Sequence, residues 1–295
     1  MLLIPNQLRE IADREGGDLR DWVADLPKVV TELAQRWVLH IGEPYEPGGQ
    51  CSWVAPAYTS TGEDVVLKLG WRHPEAEHEA DGLRAWDGDG AVRLHAAATF
   101  DQTSALLLER CVPGTPLTRS MPESEQDAIV AGLLHRLWVQ PPEGHPFRSL
   151  GAMCEEWASQ FEQHLAAWTG KTAAADIDAG LTREAMTLLR ELPSSAETSV
   201  LLCTDLHSDN ILASRREPWL VIDPKPHVGD PTYDALQYMI TCDERVITDP
   251  EGLIRRIANL LDLDADRLRL WLFTRCIHHC LDQPTLYDVA TRIAP

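Results

Sequence analysis

The segment CTDLHSDN, residues 203–210, places four polar side chains of functional type between the apolar runs 200–202 and 211–212. A second segment, WLVIDPKP at residues 219–226, again ends an apolar run with a polar turn. A polar turn between two strands is most often a solvated loop. The combination of aspartate, histidine and asparagine also suits a site that handles a proton and a metal ion. The rest of the chain decides between these interpretations.

Asp205, Asn210 and Asp223 supply the oxygen atoms for such a site. If they surround a triphosphate, each carboxylate about 4 Å from a phosphate charge is repelled by about 4 kcal/mol at an effective dielectric constant of about 20. A divalent cation between them turns this repulsion into coordination, and oxygen ligands favour Mg²⁺ over Zn²⁺. We therefore expect Asn210 and Asp223 to hold Mg²⁺, and Asp205 to orient a substrate hydroxyl for in-line attack.

Phosphoryl transfer also needs a cation on the phosphates, and Lys68 in the strand-like segment DVVLKLG is the candidate. A lysine within a strand more often lies at an edge or extends to solvent. Glu75 or Glu79, one helical turn apart, could hold it, and we favour Glu79 because it leads into the apolar stripe of the same helix. Gly48 and Gly49 allow the backbone to approach a phosphate closely, although most Gly-Gly hairpins are simple turns.

Strand-like and helix-like segments are unevenly distributed along the chain. About five short strands and two helices precede residue 113, and helical periodicity dominates after it, with strands only around the two polar turns. This predicts an α+β fold with a small antiparallel-sheet nucleotide-binding domain, residues 1–112, and a larger helical catalytic and substrate-binding domain, residues 113–295. Pro27 is predicted to open a short helix, and Ser120 with Glu123 to form a capping box.

Composition excludes several classes of protein. The net charge of −20 in 295 residues opposes binding to a nucleic-acid backbone. It favours a cationic small molecule, although an acidic surface also simply increases solubility. No apolar run is long enough to cross a membrane, and the N-terminus becomes charged too early for a signal peptide, so we expect a cytoplasmic protein. The seven cysteines suit reduced thiols, and CIHHC at 276–280 suggests a packed helix rather than a zinc site.

The two polar turns, CTDLHSDNIL and WLVIDPKPHVGDPTYD, together resemble the catalytic and metal loops of the aminoglycoside phosphotransferases, which share the protein-kinase-like bilobal fold. The form IDPKP followed by GDPTYD is most similar to the streptomycin 6-phosphotransferases and hydroxyurea phosphotransferases. The likeness runs from the segment around Pro27 to about Leu236. Cys203 and Thr204 depart from the His-Gly usual in the family, and Asp209 replaces a frequent glycine.

The resemblance implies a role for each candidate residue. Lys68 would contact the phosphates of ATP with Glu79 as its partner, Asp205 would be the catalytic aspartate, and Asn210 and Asp223 would be the Mg²⁺ ligands. It also implies that adenine hydrogen-bonds to the backbone around Glu109, Arg110 and Cys111. The implied activity is transfer of phosphate from ATP to a hydroxyl of an aminoglycoside-like antibiotic, hence antibiotic resistance.

Other acceptors and roles stay open at this point. Hydroxyurea, a sugar or an amino alcohol would require the same ATP machinery. A nucleotide-binding regulator without turnover is disfavoured because all the catalytic parts are present together. His207 is expected to support its loop through a structural hydrogen bond, and Asp230 and Asp234 to stabilise a helix start and the loop of Asp205. Lys225 could touch a phosphate, but a solvated lysine is an equally good interpretation.

Overall fold

The segments with strand-like patterns that precede residue 113 form a five-stranded antiparallel sheet in this computed structural model, which describes residues 2–167 and 177–295. The strands are β1 (Leu39–Ile41), β2 (Ser52–Thr59), β3 (Asp64–Trp71), β4 (Leu94–Thr99) and β5 (Thr103–Glu109). Their order is β1-β2-β3-β5-β4, so β3 lies in the middle. Lys68 is opposite Val54 on one side and Leu106 on the other. It is therefore a lysine of a central strand, where a charged side chain requires a partner.

The chain divides into two compact units. The first contains residues up to Gly114 together with Ala213–Leu220, and the second contains Thr115–Leu212 and Val221–Pro295. Residues 213–220, which the sequence placed in the second domain, thus belong to the first unit.

Two helices precede the sheet, and both differ from the pattern that Pro27 suggests. They are α1 (Asn6–Glu15) and α2 (Gly17–Arg36), and Pro27 lies inside α2 instead of opening a helix. The buried stripe of α2 continues on both sides of the proline, through Trp22 and Leu26 to Val30. Because helix stability comes mainly from packing of the apolar face, this stripe outweighs the backbone hydrogen bond lost at Pro27. After β3 the chain forms α3 (Glu79–Trp86).

The second unit is mostly helical. Its helices are α4 (Glu123–Leu137), α5 (Leu150–Ala167), α6 (Ala179–Glu191), α7 (Pro231–Met239), α8 (Asp243–Thr248), α9 (Pro250–Leu261), α10 (Ala265–His279) and α11 (Thr285–Ile293). The expected capping box is absent, since Pro122 is the N-cap of α4 and the Ser120 hydroxyl donates to the carbonyl of Pro116. Within the described ranges, every helix is too short or too polar to span a membrane.

Short strands enclose both polar turns. β6 (Arg148–Ser149), β10 (His227–Gly229) and β7 (Val200–Leu202) form one small sheet, and β8 (Ile211–Ala213) pairs with β9 (Trp219–Val221). The loop 203–210 runs from β7 to β8, and the loop 222–226 runs from β9 to β10. Since β7 pairs with β10 and β8 with β9, both loops are held between the same two strand pairs. This pairing brings the two motifs together.

Candidate active site

Asp234 fixes the backbone immediately before Asp205. Its carboxylate is fully buried and accepts the backbone N–H groups of Cys203 at 2.9 Å and Thr204 at 2.8 Å, with a third hydrogen bond of 3.2 Å from the indole of Trp138. Burial raises the pKa of Asp234 to about 6, although these hydrogen bonds favour its ionised form. Asp234, which lies in α7, therefore fixes the loop that carries Asp205.

Asp230 has a different task, although it lies only four residues away. One of its oxygens caps α7 by accepting the N–H of Thr232 at 2.9 Å. The other accepts the indole N–H of Trp271 and the guanidinium of Arg267, each at 2.7 Å. Asp230 thus ties the start of α7 to α10, which is the structural role that its position at a helix start indicates.

Lys225 lies on the carboxylate of Asp205. Its Nζ is 2.5 Å from Oδ2 of Asp205, and both side chains are partly exposed. The N–H of Lys225 donates to the carbonyl of Cys203 at 2.9 Å, and its carbonyl accepts the hydroxyl of Thr204. The interpretation of Lys225 as a solvated lysine therefore does not describe its position. Its place in the sequence, two residues after Asp223 and between two prolines, was the feature that could have indicated a position in the site.

Asn210 and Asp223 lie at the same end of the β8–β9 hairpin. The N–H of Ile222 donates to the carbonyl of Asn210 at 2.9 Å, and the side-chain amide of Asn210 donates to the carbonyl of Asp205 at 3.1 Å. The side-chain oxygen of Asn210 accepts no hydrogen bond from any described residue. One amide oxygen and one carboxylate are a donor set that fits Mg²⁺ shared with phosphate oxygens.

Two residues of these loops have a left-handed backbone. Thr204 has φ of 52° and Asp223 has φ of 53°. A left-handed conformation is unusual for a β-branched residue such as Thr204, and strained positions of this kind cost about 1–3 kcal/mol. The two outliers adjoin or carry the candidate catalytic groups, which is where strain of this kind is typically retained.

In the first unit, Glu79 is the partner of Lys68. The Nζ atom lies 2.7 Å from both carboxylate oxygens, and both residues are buried. Lys68 is supplied by the central strand β3 and Glu79 by the first turn of α3. A buried ion pair of this geometry limits the movement of the ammonium group.

Steric contacts explain why both residues 48 and 49, in the turn before β2, are glycines. Gly48 has φ of +91°, and a Cβ atom there would lie 2.4 Å from Cβ of Pro5. A Cβ atom on Gly49 would lie 2.4 Å from the hydroxyl of Ser52. Gly48 is thus required by the packing of its turn against the N-terminal segment, a reason that the local sequence does not reveal. Its role toward a phosphate stays a prediction.

At the end of β5, Glu109 and Cys111 are arranged differently. Burial opposes ionisation of Glu109, but hydrogen bonds from Arg216 and from the backbone N–H of Arg93 lower its pKa. Burial raises the pKa of the Cys111 thiol to about 12, so it stays protonated. The N–H of Glu109 donates to the carbonyl of Arg93, whereas the backbone of Cys111 has no hydrogen bond to any described residue. The backbone of Cys111 is therefore the better candidate for contact with adenine.

His207 and Asp209 of the first loop have other contacts. The imidazole of His207 forms no hydrogen bond with a described residue, and its carbonyl supports the loop by accepting the N–H of Asn210. Asp209 is exposed and accepts the hydroxyl of Thr118 at 2.5 Å. The charge of Asp209 is thus on the exposed side of its turn.

The CIHHC segment forms the end of α10. Cys276 and Cys280 are buried, and burial lowers the pKa of His278 to about 3 and of His279 to about 4, so both imidazoles are neutral. His278 stacks on Trp157 with 5.4 Å between ring centroids. Across residues 2–167 and 177–295, no three His, Cys, Asp or Glu side chains are grouped as metal ligands. The segment is a packed helix.

Comparison with known proteins places these observations in a family. The profile of the aminoglycoside/hydroxyurea antibiotic resistance kinases matches residues 36–280. Streptomycin 6-kinase of Streptomyces griseus is 35% identical over an alignment that covers 99% of this chain and 94% of that protein. Hydroxyurea phosphotransferase of Kitasatospora aureofaciens is also 35% identical, over 94% of this chain and 79% of that protein.

Solved structures show the same fold at low identity. Amicoumacin kinase hAmiN, in complex with AMP-PNP, Ca²⁺ and Ami, superposes with a TM-score of 0.63 at 12% identity and covers 92% of this chain and 95% of its own. Choline kinase LicA of Streptococcus pneumoniae has a TM-score of 0.59 at 13% identity, with 91% of this chain and 95% of its own covered. The predicted α+β, protein-kinase-like fold is confirmed.

Proposed function

The chain belongs to the aminoglycoside/hydroxyurea antibiotic resistance kinase family, and we propose that it transfers the γ-phosphate of ATP to a hydroxyl group of an aminoglycoside such as streptomycin. It is a phosphotransferase that uses ATP. The observation that carries the proposal is the placement of Asp205, whose loop is held by Asp234, next to the hairpin end that carries Asn210 and Asp223. Phosphoryl transfer needs this combination of groups.

In this proposal the first unit binds the nucleotide. Lys68, held in place by Glu79, contacts the phosphates of ATP, and the turn of Gly48 and Gly49 lies along them. Adenine hydrogen-bonds to the backbone around Cys111. The side chain of Glu109 forms an ion pair with Arg216 that supports this part of the chain.

The second unit positions the acceptor. Asn210 and Asp223 would hold Mg²⁺, which neutralises part of the phosphate charge when bound. Asp205 accepts a hydrogen bond from the acceptor hydroxyl and directs its oxygen at the γ-phosphorus. The new O–P bond forms as the bond to the bridging oxygen breaks, the electron pair leaves with ADP, and the hydroxyl proton passes to Asp205. Positioning is the main contribution of the carboxylate.

We propose a cationic acceptor because the chain carries a net charge of −20. Asp243 and Glu244 in the first turn of α8, and Asp282 after α10, are exposed acidic residues that could bind amine or guanidine groups. Hydroxyurea is the second candidate acceptor, since the hydroxyurea phosphotransferase relative is as similar as the S. griseus streptomycin 6-kinase. A neutral acceptor such as hydroxyurea needs no acidic binding residues.

An acceptor panel tests the proposal. The purified protein is incubated with ATP, Mg²⁺ and separate samples of streptomycin, other aminoglycosides and hydroxyurea, and products are identified by a mass increase of one phosphate group. Phosphorylated streptomycin that is absent with the Asp205→Asn variant is the expected result. Phosphorylation of hydroxyurea alone would show that hydroxyurea, and not an aminoglycoside, is the acceptor. ATP binding without any phosphorylated product would favour a nucleotide-binding regulator without turnover.

The metal assignment has its own test. Asp223→Asn should shift the Mg²⁺ titration of activity to higher metal concentration, because a neutral amide is a weaker ligand for Mg²⁺ than a carboxylate. Asp209→Asn is a matched control, because Asp209 is an exposed aspartate of the neighbouring loop. Identical titrations for Asp223→Asn and the wild type would contradict the assignment.

A further inference from the structure

Lys225 belongs to a rare residue type in this chain. The sequence contains 22 arginines but only four lysines. Of the three lysines in the described residues, Lys28 is exposed on α2, whereas Lys68 and Lys225 are each bound to a carboxylate. Lysine differs from arginine in being a compact point charge with three rotatable donors. A chain that otherwise uses arginine therefore has lysine at two positions where a compact cation suits phosphate.

The backbone of Lys225 is fixed to the loop of Asp205. Its N–H and its carbonyl bind Cys203 and Thr204, the two residues that immediately precede Asp205. A proline on each side, in the sequence PKP, further restricts the backbone. These contacts make Lys225 part of the catalytic loop assembly, in contrast to a surface lysine on a flexible turn.

The ion pair leaves part of Asp205 available. Nζ of Lys225 contacts Oδ2 of Asp205 at 2.5 Å, whereas Oδ1 of Asp205 has no hydrogen bond to any described residue. One carboxylate oxygen is therefore held by the ammonium group, and the other can accept a substrate hydroxyl. The side chains are 30% and 22% exposed, so the pair can adjust without opening the core.

We propose that Lys225 is a catalytic residue that contacts the transferred phosphoryl group in the transition state and returns to Asp205 between turnovers. The inference rests on the proposed function. A hydroxyl bound to Asp205 lies about 2.7 Å from its carboxylate oxygen, and its own oxygen approaches phosphorus to about 3–3.5 Å before attack. An ammonium group on the same carboxylate is then close to the equatorial oxygens of that phosphoryl group.

The chemistry of the step explains why a cation is needed here. As the acceptor O–P bond forms and the bond to ADP breaks, negative charge spreads over the three equatorial oxygens of the phosphoryl group. A cation already in place stabilises this charge without reorganisation. Before the step, the same cation reduces the repulsion between Asp205 and the γ-phosphate. The competing interpretation is that Lys225 only positions Asp205.

The test compares Lys225→Met, Lys225→Arg and the control Lys28→Met, which removes an exposed lysine remote in sequence. Thermal unfolding first establishes that each variant is folded. With an acceptor that the wild type phosphorylates, Lys225→Met should lower kcat by about 100-fold, as expected for loss of one preorganised transition-state contact. The affinity for ADP, which lacks the γ-phosphate, should stay unchanged. Lys28→Met should match the wild type in every measurement.

A second measurement does not depend on the acceptor. ADP with aluminium fluoride and Mg²⁺ mimics the transferring phosphoryl group, and its affinity should fall in Lys225→Met and fall less in Lys225→Arg, which keeps the charge. The same loss should occur when Lys225→Met is made in the Asp205→Asn background, because the contact is with the phosphoryl group itself. No further loss in that background would overturn the catalytic role and leave a positioning role through Asp205.

The two proposals can fail separately. If the wild type phosphorylates no acceptor but the analogue binding depends on Lys225, the proposed function fails and the role of Lys225 is supported. If streptomycin is phosphorylated and Lys225→Met binds the analogue and turns over like the wild type, the role of Lys225 is overturned and the function stands.

Discussion

Among the described residues, each unit has a lysine paired with a buried or partly buried carboxylate, Lys68 with Glu79 and Lys225 with Asp205, but the pairs differ in burial. The side chains of Lys68 and Glu79 are 9% and 7% exposed, whereas those of Lys225 and Asp205 are 30% and 22% exposed. The first pair has two contacts of 2.7 Å, one to each carboxylate oxygen, and the second has a single contact of 2.5 Å.

The difference indicates which pair can change partners. Separating a buried pair leaves a desolvated charge, so Lys68 and Glu79 are suited to a permanent arrangement that holds a cation in place. A partly exposed pair gains little from its own contact, because water and salt screen it. Lys225 can therefore leave Asp205 at small cost when a phosphoryl group offers a stronger negative charge. Four measurements test whether the two pairs differ in this way.

The largest effect is expected at the buried pair. Lys68→Met leaves Glu79 buried without its partner and should lower the free energy of unfolding by about 3–5 kcal/mol. Replacing both residues, Lys68→Met with Glu79→Met, should recover most of this loss, because no isolated charge remains. Urea unfolding of the two variants measures the difference. Equal stability of the single and double variants would show that Glu79 without its lysine partner does not destabilise the fold, contrary to the prediction.

The next effect concerns catalysis at the partly exposed pair. Asp205→Asn should lower turnover by at least about 100-fold, equivalent to about 2.7 kcal/mol in the barrier, with ATP binding intact. Asp209→Asn, four residues along the same loop, should retain activity because its side chain is exposed and bound to Thr118. Steady-state kinetics and nucleotide titration check both variants. Similar activity of Asp205→Asn and the wild type would remove Asp205 from the mechanism.

The third prediction concerns how the free energy of unfolding depends on pH, which we expect to be set by a buried histidine outside both pairs. His278 has its pKa lowered by burial to about 3, below the unfolded value of 6.5, so its contribution to stability is present above pH 6.5 and is lost as pH falls. Between pH 6.5 and 5 this loss is about 2 kcal/mol for one imidazole. His278→Gln should reduce the pH dependence of unfolding, whereas His40→Gln, at an exposed position, should not. If the free energy of unfolding of His278→Gln depends on pH as it does in the wild type, groups other than His278 cause the loss of stability in acid.

The smallest effect is expected for the stability of the second pair. Lys225→Met should change the free energy of unfolding by less than about 1 kcal/mol. The difference from the wild type should shrink between 0.1 and 1 M salt, because the screening length falls from about 10 to about 3 Å. A loss as large as that of Lys68→Met would show that the two pairs are equivalent, and the comparison would fail.

Local sequence was sufficient to propose much of the candidate site. Asp205 and Asn210 lie within one turn, and Asp223 follows the next apolar strand, so a short segment carries most of the chemistry. The partner of Lys68 could be narrowed to Glu75 or Glu79 by helical spacing. Local rules failed at two predicted helix starts. Pro27 lies inside α2 because the buried stripe continues past it, and Ser120 does not cap α4.

The contact of Lys225 with Asp205 could not be predicted in the same way. Twenty residues separate them, and their proximity depends on the pairing of β7 with β10 and of β8 with β9. The collision that a side chain at Gly48 would make with Pro5 likewise depends on a contact across more than forty residues. Neither contact leaves a periodic pattern in the sequence.

The sequence by itself determined the fold class, the order of the elements and the kinds of chemical group available, because helical and strand periodicity and turn chemistry are local properties. Tertiary packing was needed to establish that one lysine is buried and paired at two oxygens, while the other is partly exposed and bound to the candidate catalytic aspartate. The physical reason is that burial and charge pairing depend on which surfaces meet after folding, and strands distant in the chain supply those surfaces.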